Sequence, residues 1–306
     1  MHKFAVIFLA AYFTVNLVAS DWHYPKELPN GVLSDDEDWG GICSSGKRQS
    51  PVDLAVDASI RGEFNSFIFH NYDAPMKNPN VINNGHSIQI STVPGPISIA
   101  GGGLNGNYIF DQMHFHWASE HTLNGGRYAL ELHMVHHDKR YDTIQRAAQE
   151  KNGIAVLGIL FHVTKDPNPI VEKILENSHR VFESSGTNTT YKDKLLLSEL
   201  LPKNKETYFR YEGSLTTPGC GEAVVWTVFN QSLPLSVEQL ERFKSVHDDS
   251  GHELKHNYRH IQPLNSRSLI YVPGQGYTEN FAVSTKLISI PLMIVTSLIA
   301  LKGFTF

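Results

Sequence analysis

The chain has 306 residues, 41% of them hydrophobic and 19% charged, and a formal net charge of −5 at neutral pH. That length suits one large β-domain or two ordinary ones, with apolar content enough for a packed core. A slightly acidic balance excludes the basic footprint of a nucleic-acid binder and points to no polyanionic substrate.

Met1-His2-Lys3, an apolar run over residues 4–18 and the small Ala19-Ser20 read as a secretory signal peptide cut near Ser20; a buried N-terminal strand is the competing reading. From Trp22 to about Pro51 the chain is rich in Gly, Pro, Ser and acidic residues, with rings at Trp22, Tyr24 and Trp39 to pin an irregular segment. Strand patterns then follow at residues 64–70, 81–82, 87–90 and 97–99, separated by Asn83-Asn84-Gly85 and Pro94-Gly95-Pro96. Gly101-Gly102-Gly103 lacks a following Lys-Ser/Thr and a clear helix, so no phosphate loop is expected.

Residues 112–117 and 131–136 are the next strands. Successive side chains on a strand point to opposite faces, so His114 and His116 share one face while Met113, Phe115 and Trp117 line the other. Asn124-Gly125-Gly126 tolerates the positive φ of a tight turn and lies midway to His133. An antiparallel hairpin closing there sets His133 opposite the pair. Gln112 and Glu131 each stand two residues before a histidine, on the same strand face, where they can accept the second imidazole N–H.

Residues 154–161 form an unbroken apolar run of strand length, which predicts a central strand buried on both faces. Pro169 opens a helical pattern over 170–175, and Ser236-Val237-Glu238-Gln239 is a capping box that starts a second helix with Val237, Leu240 and Phe243 on one face. The fold expected is α+β and predominantly β: a single domain on a large central, mixed, mostly antiparallel sheet with a few surface helices. Its span is residues 21–270, between a signal peptide at 1–20 and a C-terminal spacer and hydrophobic anchor signal at 271–306.

Residues 287–301 are 15 in a row without a charge, short of the roughly 20 that cross a bilayer. With small Gly274 and Gly276 and a polar spacer before it, this tail matches a glycosylphosphatidylinositol attachment signal with Gly274 as the attachment candidate; a short transmembrane anchor and a buried element are the alternatives. Two cysteines, Cys43 and Cys220, in an exported chain read as one disulfide, with two free buried thiols as the alternative. Asn188-Thr189-Thr190 and Asn230-Gln231-Ser232 are candidate glycosylation sites.

Three neutral imidazoles on rigid strands, with no fourth protein ligand nearby, are the ligand set of an open catalytic zinc site. A rival pattern is His252-Glu253-Leu254-Lys255-His256, which matches H-E-x-x-H. That motif works only on a helix. Its Asp248-Asp249-Ser250-Gly251 approach and the lack of an apolar stripe predict a solvated loop instead.

Taken in order, Gln49-Ser50-Pro51-Val52, Asn83-Asn84-Gly85-His86, residues 112–117, Ser119-Glu120-His121-Thr122, residues 131–136, Ala155-Val156-Leu157-Gly158, residues 214–218, and Asn257-Tyr258-Arg259 with Gln262-Pro263-Leu264 resemble the α-class carbonic anhydrases. The likeness covers roughly residues 21–270, and the cysteine pair with both terminal signals is similar to the secreted or membrane-anchored members. The resemblance implies Zn2+ held by His114, His116 and His133, and zinc-bound hydroxide as the nucleophile that turns carbon dioxide into bicarbonate. It further implies that Thr216 hydrogen-bonds that hydroxide, that Glu120 takes the threonine proton, and that His86 shuttles a proton to buffer. Val135, Val156, Leu215 and Trp226 would form the wall against which carbon dioxide rests. Tyr24, Asn84, Gln89 and Thr217 would support the water chain, with Tyr211 and Asn257 as further supports.

The implied place of action is the extracellular face of the plasma membrane, reached by export and held through the lipid anchor, with carbon dioxide, bicarbonate and buffer as partners and no nucleic acid. A catalytically silent binding or adhesion module on the same fold is the alternative; such relatives break the histidine triad, which is intact here. Two departures stand out. The loop from Trp117 to Glu120 is shorter than in many relatives, and Gln89 stands where some active relatives carry Asn.

Overall fold

The structure is a computed structural model and describes residues 22–25, 39–93 and 95–274. The expected signal peptide and all of the C-terminal tail after Gly274 lie outside the described residues. Eight strands carry the argument: β1 (Asn80–Asn83), β2 (Ile88–Ser91), β3 (Tyr108–His116), β4 (Leu130–Asp138), β5 (Ile154–Thr164), β6 (Thr207–Gly213), β7 (Val224–Phe229) and β8 (Ile270–Pro273). Among the described residues they belong to one thirteen-stranded sheet, whose main path runs Asn188–Thr190, β1, β2, β3, β4, β5, β7, β6, β8, Ile60–Arg61. Only the β5–β7 and β8–Ile60 pairings on that path are parallel, so the sheet is mixed and mostly antiparallel, as expected.

The predicted central strand is β5. Its first eight residues are all buried, and it pairs with β4 on one side and β7 on the other. Because a strand alternates faces, β3, β4 and β5 feed two cores at once. Met113, Phe115, Trp117, Leu132, Met134 and Leu157 enter the core on one side. Val135, Val156, Trp226 and Val228 enter the core on the other. Each such fully buried large side chain contributes about 1.5–3 kcal/mol relative to exposure, so both faces of the site's strands are held firmly.

Two helices cover the first core. In α1 (Pro169–Ser178), Pro169 stands in the first turn, where its missing N–H costs nothing, and Asn168 caps the end by accepting from Ile170 N and Val171 N. In α2 (Val237–Lys244) the capping box forms, with Ser236 and Gln239 bonding reciprocally. The expected buried face of α2 is different in one respect. Val237 is exposed, and Gln239 is buried in its place because its side chain also bonds the backbone of Asn168 and so ties the two helices together.

The turn at Asn124 and Gly125 has the positive φ expected, 49° and 77°. It closes only a two-residue hairpin, Thr122–Leu123 with Gly126–Arg127, which belongs to a separate three-stranded sheet with Asp53–Leu54. The long pairing of β3 with β4 lies before and after that small hairpin. Residues 252–256 carry no helix, which removes the H-E-x-x-H reading. At the other end, β8 continues past the expected boundary at residue 270, since Tyr271 and Val272 pair with β6 and are buried.

Candidate metal centre

The β3–β4 register sets His133 opposite His114 and Glu131 opposite His116. Strand alternation then puts all three imidazoles on one face. Their ring centroids lie 4.5 to 5.2 Å apart, and one nitrogen from each lies within 4.8 Å of the others. His116 and His133 are buried; His114 is half-buried and faces a cavity.

The second nitrogen of each ring is already committed. His114 Nδ1 donates to Gln112 Oε1 at 2.9 Å, His133 Nε2 to Glu131 Oε1 at 2.9 Å, and His116 Nδ1 to the carbonyl oxygen of Asn257 at 2.6 Å. These bonds leave the lone pairs of His114 Nε2, His116 Nε2 and His133 Nδ1 as the converging atoms. Burial, then the neighbouring imidazoles, hold the His114 ring well below its ordinary pKa; burial lowers that of His116, partly offset by Glu120. Neutral imidazole is the form that binds metal. His116 Nε2 is buried with no protein hydrogen-bond partner, an orphaned acceptor beside two others, and that donor set fits a tetrahedral Zn2+ with one open position.

A chain of polar groups lies behind the triad. Burial raises the Glu131 pKa, but the imidazoles of His121 and His133 and their hydrogen bonds outweigh it and hold the carboxyl well below the usual range. Glu131 accepts from His121 Nδ1 at 2.7 Å and from the His121 backbone N–H at 2.8 Å. His121 Nε2 lies 2.6 Å from the Tyr211 hydroxyl, itself 2.9 Å from Ser50 Oγ. His121, Glu131 and His133 also cluster closely enough for a metal. N–H donors already occupy both Glu131 oxygens, so that trio is a hydrogen-bonded support. His121 is the member sequence reasoning missed; its only signal was its place in the Ser119-Glu120-His121-Thr122 run.

Glu120 is fully buried. Its Oε1 accepts the Arg259 backbone N–H at 3.0 Å, while Oε2 has no hydrogen-bond partner and lies 3.6 Å from His116 Nε2 and 3.9 Å from His133 Nδ1. The expected hydrogen bond from Thr216 to Glu120 is therefore not formed, because Oε2 turns toward the imidazoles. Thr216 is buried in the loop after β6. That loop is pinned at several points: Ser214 N–H donates to Ser50 Oγ, Trp226 Nε1 donates to the Ser214 carbonyl, and Leu215 N–H donates to the Gly221 carbonyl. The disulfide joins Cys43 to Cys220 as expected. The short loop at Trp117–Glu120 is stapled by Arg127, whose Nη1 donates to the carbonyls of Ser119 and Glu120.

Tyr24, Asn84, His86, Gln89 and Thr217 line one cavity of about 260 Å³ together with Gln112 and His114. His86, another residue of its lining, is stacked on Trp22 with centroids 3.7 Å apart, its Nε2 2.9 Å from the Trp22 carbonyl. On the apolar side, Val135, Val156 and Trp226 pack in one cluster, with Leu215 against it. Polar channel and apolar wall thus meet at the histidines.

Residues 34–273 match the family described as eukaryotic-type carbonic anhydrase. The chain belongs to the carbonic anhydrases. It is 36% identical over 252 residues to putative carbonic anhydrase 3 of Caenorhabditis elegans, covering 78% of this chain and 95% of that one. It is 32% identical over 302 residues to carbonic anhydrase 4 of Rattus norvegicus, covering 94% and 96% of the two chains, and 32% identical over 274 residues to carbonic anhydrase 6 of Mus musculus, covering 86% and 85%. As a carbonic anhydrase the chain is a carbonate dehydratase with zinc as cofactor, and its histidine triad is able to hold that ion.

Loss of the Glu131 carboxylate is expected to weaken zinc binding by about 10- to 100-fold in Glu131→Ala, since His133 loses the acceptor that fixes its tautomer. Competition with a chelator of known affinity measures this. An unchanged zinc affinity would remove Glu131 from the support of the site.

Proposed function

We propose that His114, His116 and His133 hold the zinc at which this chain interconverts carbon dioxide with bicarbonate and a proton at the outer face of the plasma membrane. One observation carries the reading: three imidazoles with their outer N–H groups committed turn their lone pairs together between an apolar wall and a polar cavity. Zinc held there supplies a Lewis acid that brings the pKa of a coordinated water to about 7. Gln112, the Asn257 carbonyl and Glu131 keep the three rings in the binding tautomer. Val135, Val156, Leu215 and Trp226 exclude water and offer carbon dioxide a surface without competing hydrogen bonds. Glu120 Oε2, a buried acceptor without a partner, would accept a hydrogen bond from the Thr216 hydroxyl when that side chain turns to orient the nucleophile, while the Arg259 N–H fixes the other oxygen.

Each hydration releases a proton, and His86 is its carrier to buffer. Tyr24, Asn84, Gln89 and Thr217 line the way between His114 and His86. An imidazole can take a proton on one ring nitrogen and release it again, which is the chemistry a shuttle needs. His86→Ala is expected to slow turnover on the order of tenfold to a hundredfold in weak buffer and much less in strong buffer, with imidazole restoring the rate. A loss of the same size at every buffer concentration would take the shuttle role from His86. Stopped-flow hydration with zinc analysis on the secreted domain tests the whole reading, and a zinc-free preparation with the full rate would defeat it.

The domain reading is a signal peptide at 1–20, a catalytic domain at 21–270 with its last strand running on to Pro273, and a C-terminal anchor signal beyond it. Gly274 follows β8 directly, and it is the proposed attachment residue. Release of the native protein from membranes by a phosphatidylinositol-specific phospholipase is the expected result; retention in the membrane pellet would favour a transmembrane anchor. Asn188 is exposed on an edge strand and suits a glycan, whereas Asn230 is only partly exposed. The silent-module alternative is disfavoured by the intact triad.

A further inference from the structure

Among the described residues, Arg210 is a buried cation with no anion. It is 5% exposed, and no carboxylate lies within ion-pair distance of it. Its Nε and Nη2 donate to Thr227 Oγ1 at 3.2 and 2.9 Å, and Nη2 also donates to the Gly102 carbonyl at 2.6 Å. Nη1 makes no hydrogen bond to protein and is not sealed from solvent, and Arg210 lines a cavity. Burial pushes the guanidinium down to about 10, which still leaves it charged at neutral pH; the rings of Phe64, Phe67 and Tyr208 face it at 5.3 to 5.9 Å, but a buried charge with no counter-ion remains a costly arrangement.

The cavity holds about 380 Å³, within the range of small-molecule sites. It shares only Tyr211 with the supports of the metal centre. Charge at its walls is unbalanced. Arg267 spends its donors on the carbonyls of Leu264, Glu212 and Pro263 and meets no carboxylate. The Glu212 carboxylate, the acid of the lining, is already held by Lys151 at 3.2 Å, Arg48 at 3.3 Å and Asn152 at 3.0 Å. The wall also carries an apolar set, Phe64, whose ring lies 5.3 Å from the Arg210 guanidinium carbon, with Leu104, Val225 and Ile270, beside the neutral polar Asn105, Asn152 and Ser268.

The geometry points to a second binding site in this chain, for a small monocarboxylate with an apolar body, in which the carboxylate pairs with Arg210 Nη1 and the body packs on Phe64, Leu104 and Ile270. A bare inorganic anion would satisfy the arginine and leave the apolar wall wet. An uncharged analogue would fill the wall and leave the charge unpaired. The site requires both parts and does not rest on the metal-centre reading.

Calorimetric titration of the zinc-loaded secreted protein with benzoate tests it, with benzamide and chloride as the comparison probes. Benzoate is expected to bind with a Kd of roughly 1 mM or tighter. Benzamide and chloride are each expected to bind at least about tenfold more weakly, as is benzoate to Arg210→Met, the loss of a charge-assisted hydrogen bond. Asn105→Trp, on the exposed rim of the cavity, blocks entry without disturbing a buried residue and carries the test if Arg210→Met does not fold. His114→Ala is expected to keep the benzoate site. Benzoate affinity unchanged in Asn105→Trp, lost in His114→Ala, or absent from the wild-type protein would each overturn the proposal.

Discussion

His114→Ala is expected to remove zinc and carbon dioxide hydration together. A catalytic zinc site keeps one position open and relies on three protein ligands, so losing one leaves two imidazoles and no closed ligand set. The cost is compounded at this site. His114 sits on rigid β3 with its Nδ1 held by Gln112, and alanine leaves the carboxamide without its partner while opening the ligand position to the cavity. Zinc content should fall to a small fraction of one per chain and the hydration rate to near background. The variant should also lose the rise in melting temperature that zinc produces in the wild-type protein, because a ligand that binds only the folded state stabilises it in proportion to ln(1 + [L]/Kd). Metal analysis, stopped-flow rates and thermal melts with and without zinc check the three consequences independently. His252→Ala and His256→Ala should leave all three unchanged, since residues 252–256 form no helix on which an H-E-x-x-H site could be built. Full zinc and full rate in His114→Ala would refute the assignment of the metal centre.

Removing the disulfide is expected to have the largest effect on stability. Cys43 and Cys220 are separated by 177 residues, and cross-linking so long a loop stabilises by about 5 kcal/mol in the chain-entropy model. Domains of this kind are stable by about 5–15 kcal/mol in total, so Cys43→Ala/Cys220→Ala should unfold at a markedly lower denaturant concentration. A functional consequence follows from position. Cys220 closes the loop that carries Leu215, Thr216 and Thr217, and Gln49 Nε2 donates to its carbonyl. On the other side of the bridge, Arg259 donates to the Cys43 carbonyl while its own backbone N–H holds Glu120. The double variant should therefore lose hydration rate at temperatures where it is still folded. Denaturation midpoints coinciding with those of the wild-type protein would show that the bridge contributes no stability.

Much of the centre was legible in the residues. H-x-H on a strand places two imidazoles on one face by a period of two, and the matching pattern of residues 131–136 marks the partner strand, although the Gly-containing turn between them closes a separate small hairpin. Gln112 and Glu131 were predictable for the same reason, since they share that parity. The apolar run at β5 announced a central strand, and the capping box announced α2. The same local logic failed where a side chain answered a distant group. Val237 was expected inside, yet Gln239 is buried because it bonds Asn168. The pairing of Thr216 with Glu120 came from the family resemblance and from no local pattern, and in the structure Glu120 Oε2 faces the imidazoles.

What the sequence by itself determined is therefore the set of groups that alternate onto one face of β3 and β4, and the family to which their order belongs. Strand parity is a local property, carried by spacing alone. The tertiary structure decided the rest: the Asn257 carbonyl that fixes His116 from 141 positions away, the path from His121 to Tyr211 behind Glu131, and the buried Arg210, without a carboxylate, beside its cavity. Such contacts depend on sheet order and on the course of loops, and no pattern of neighbouring residues encodes which distant groups those will bring together.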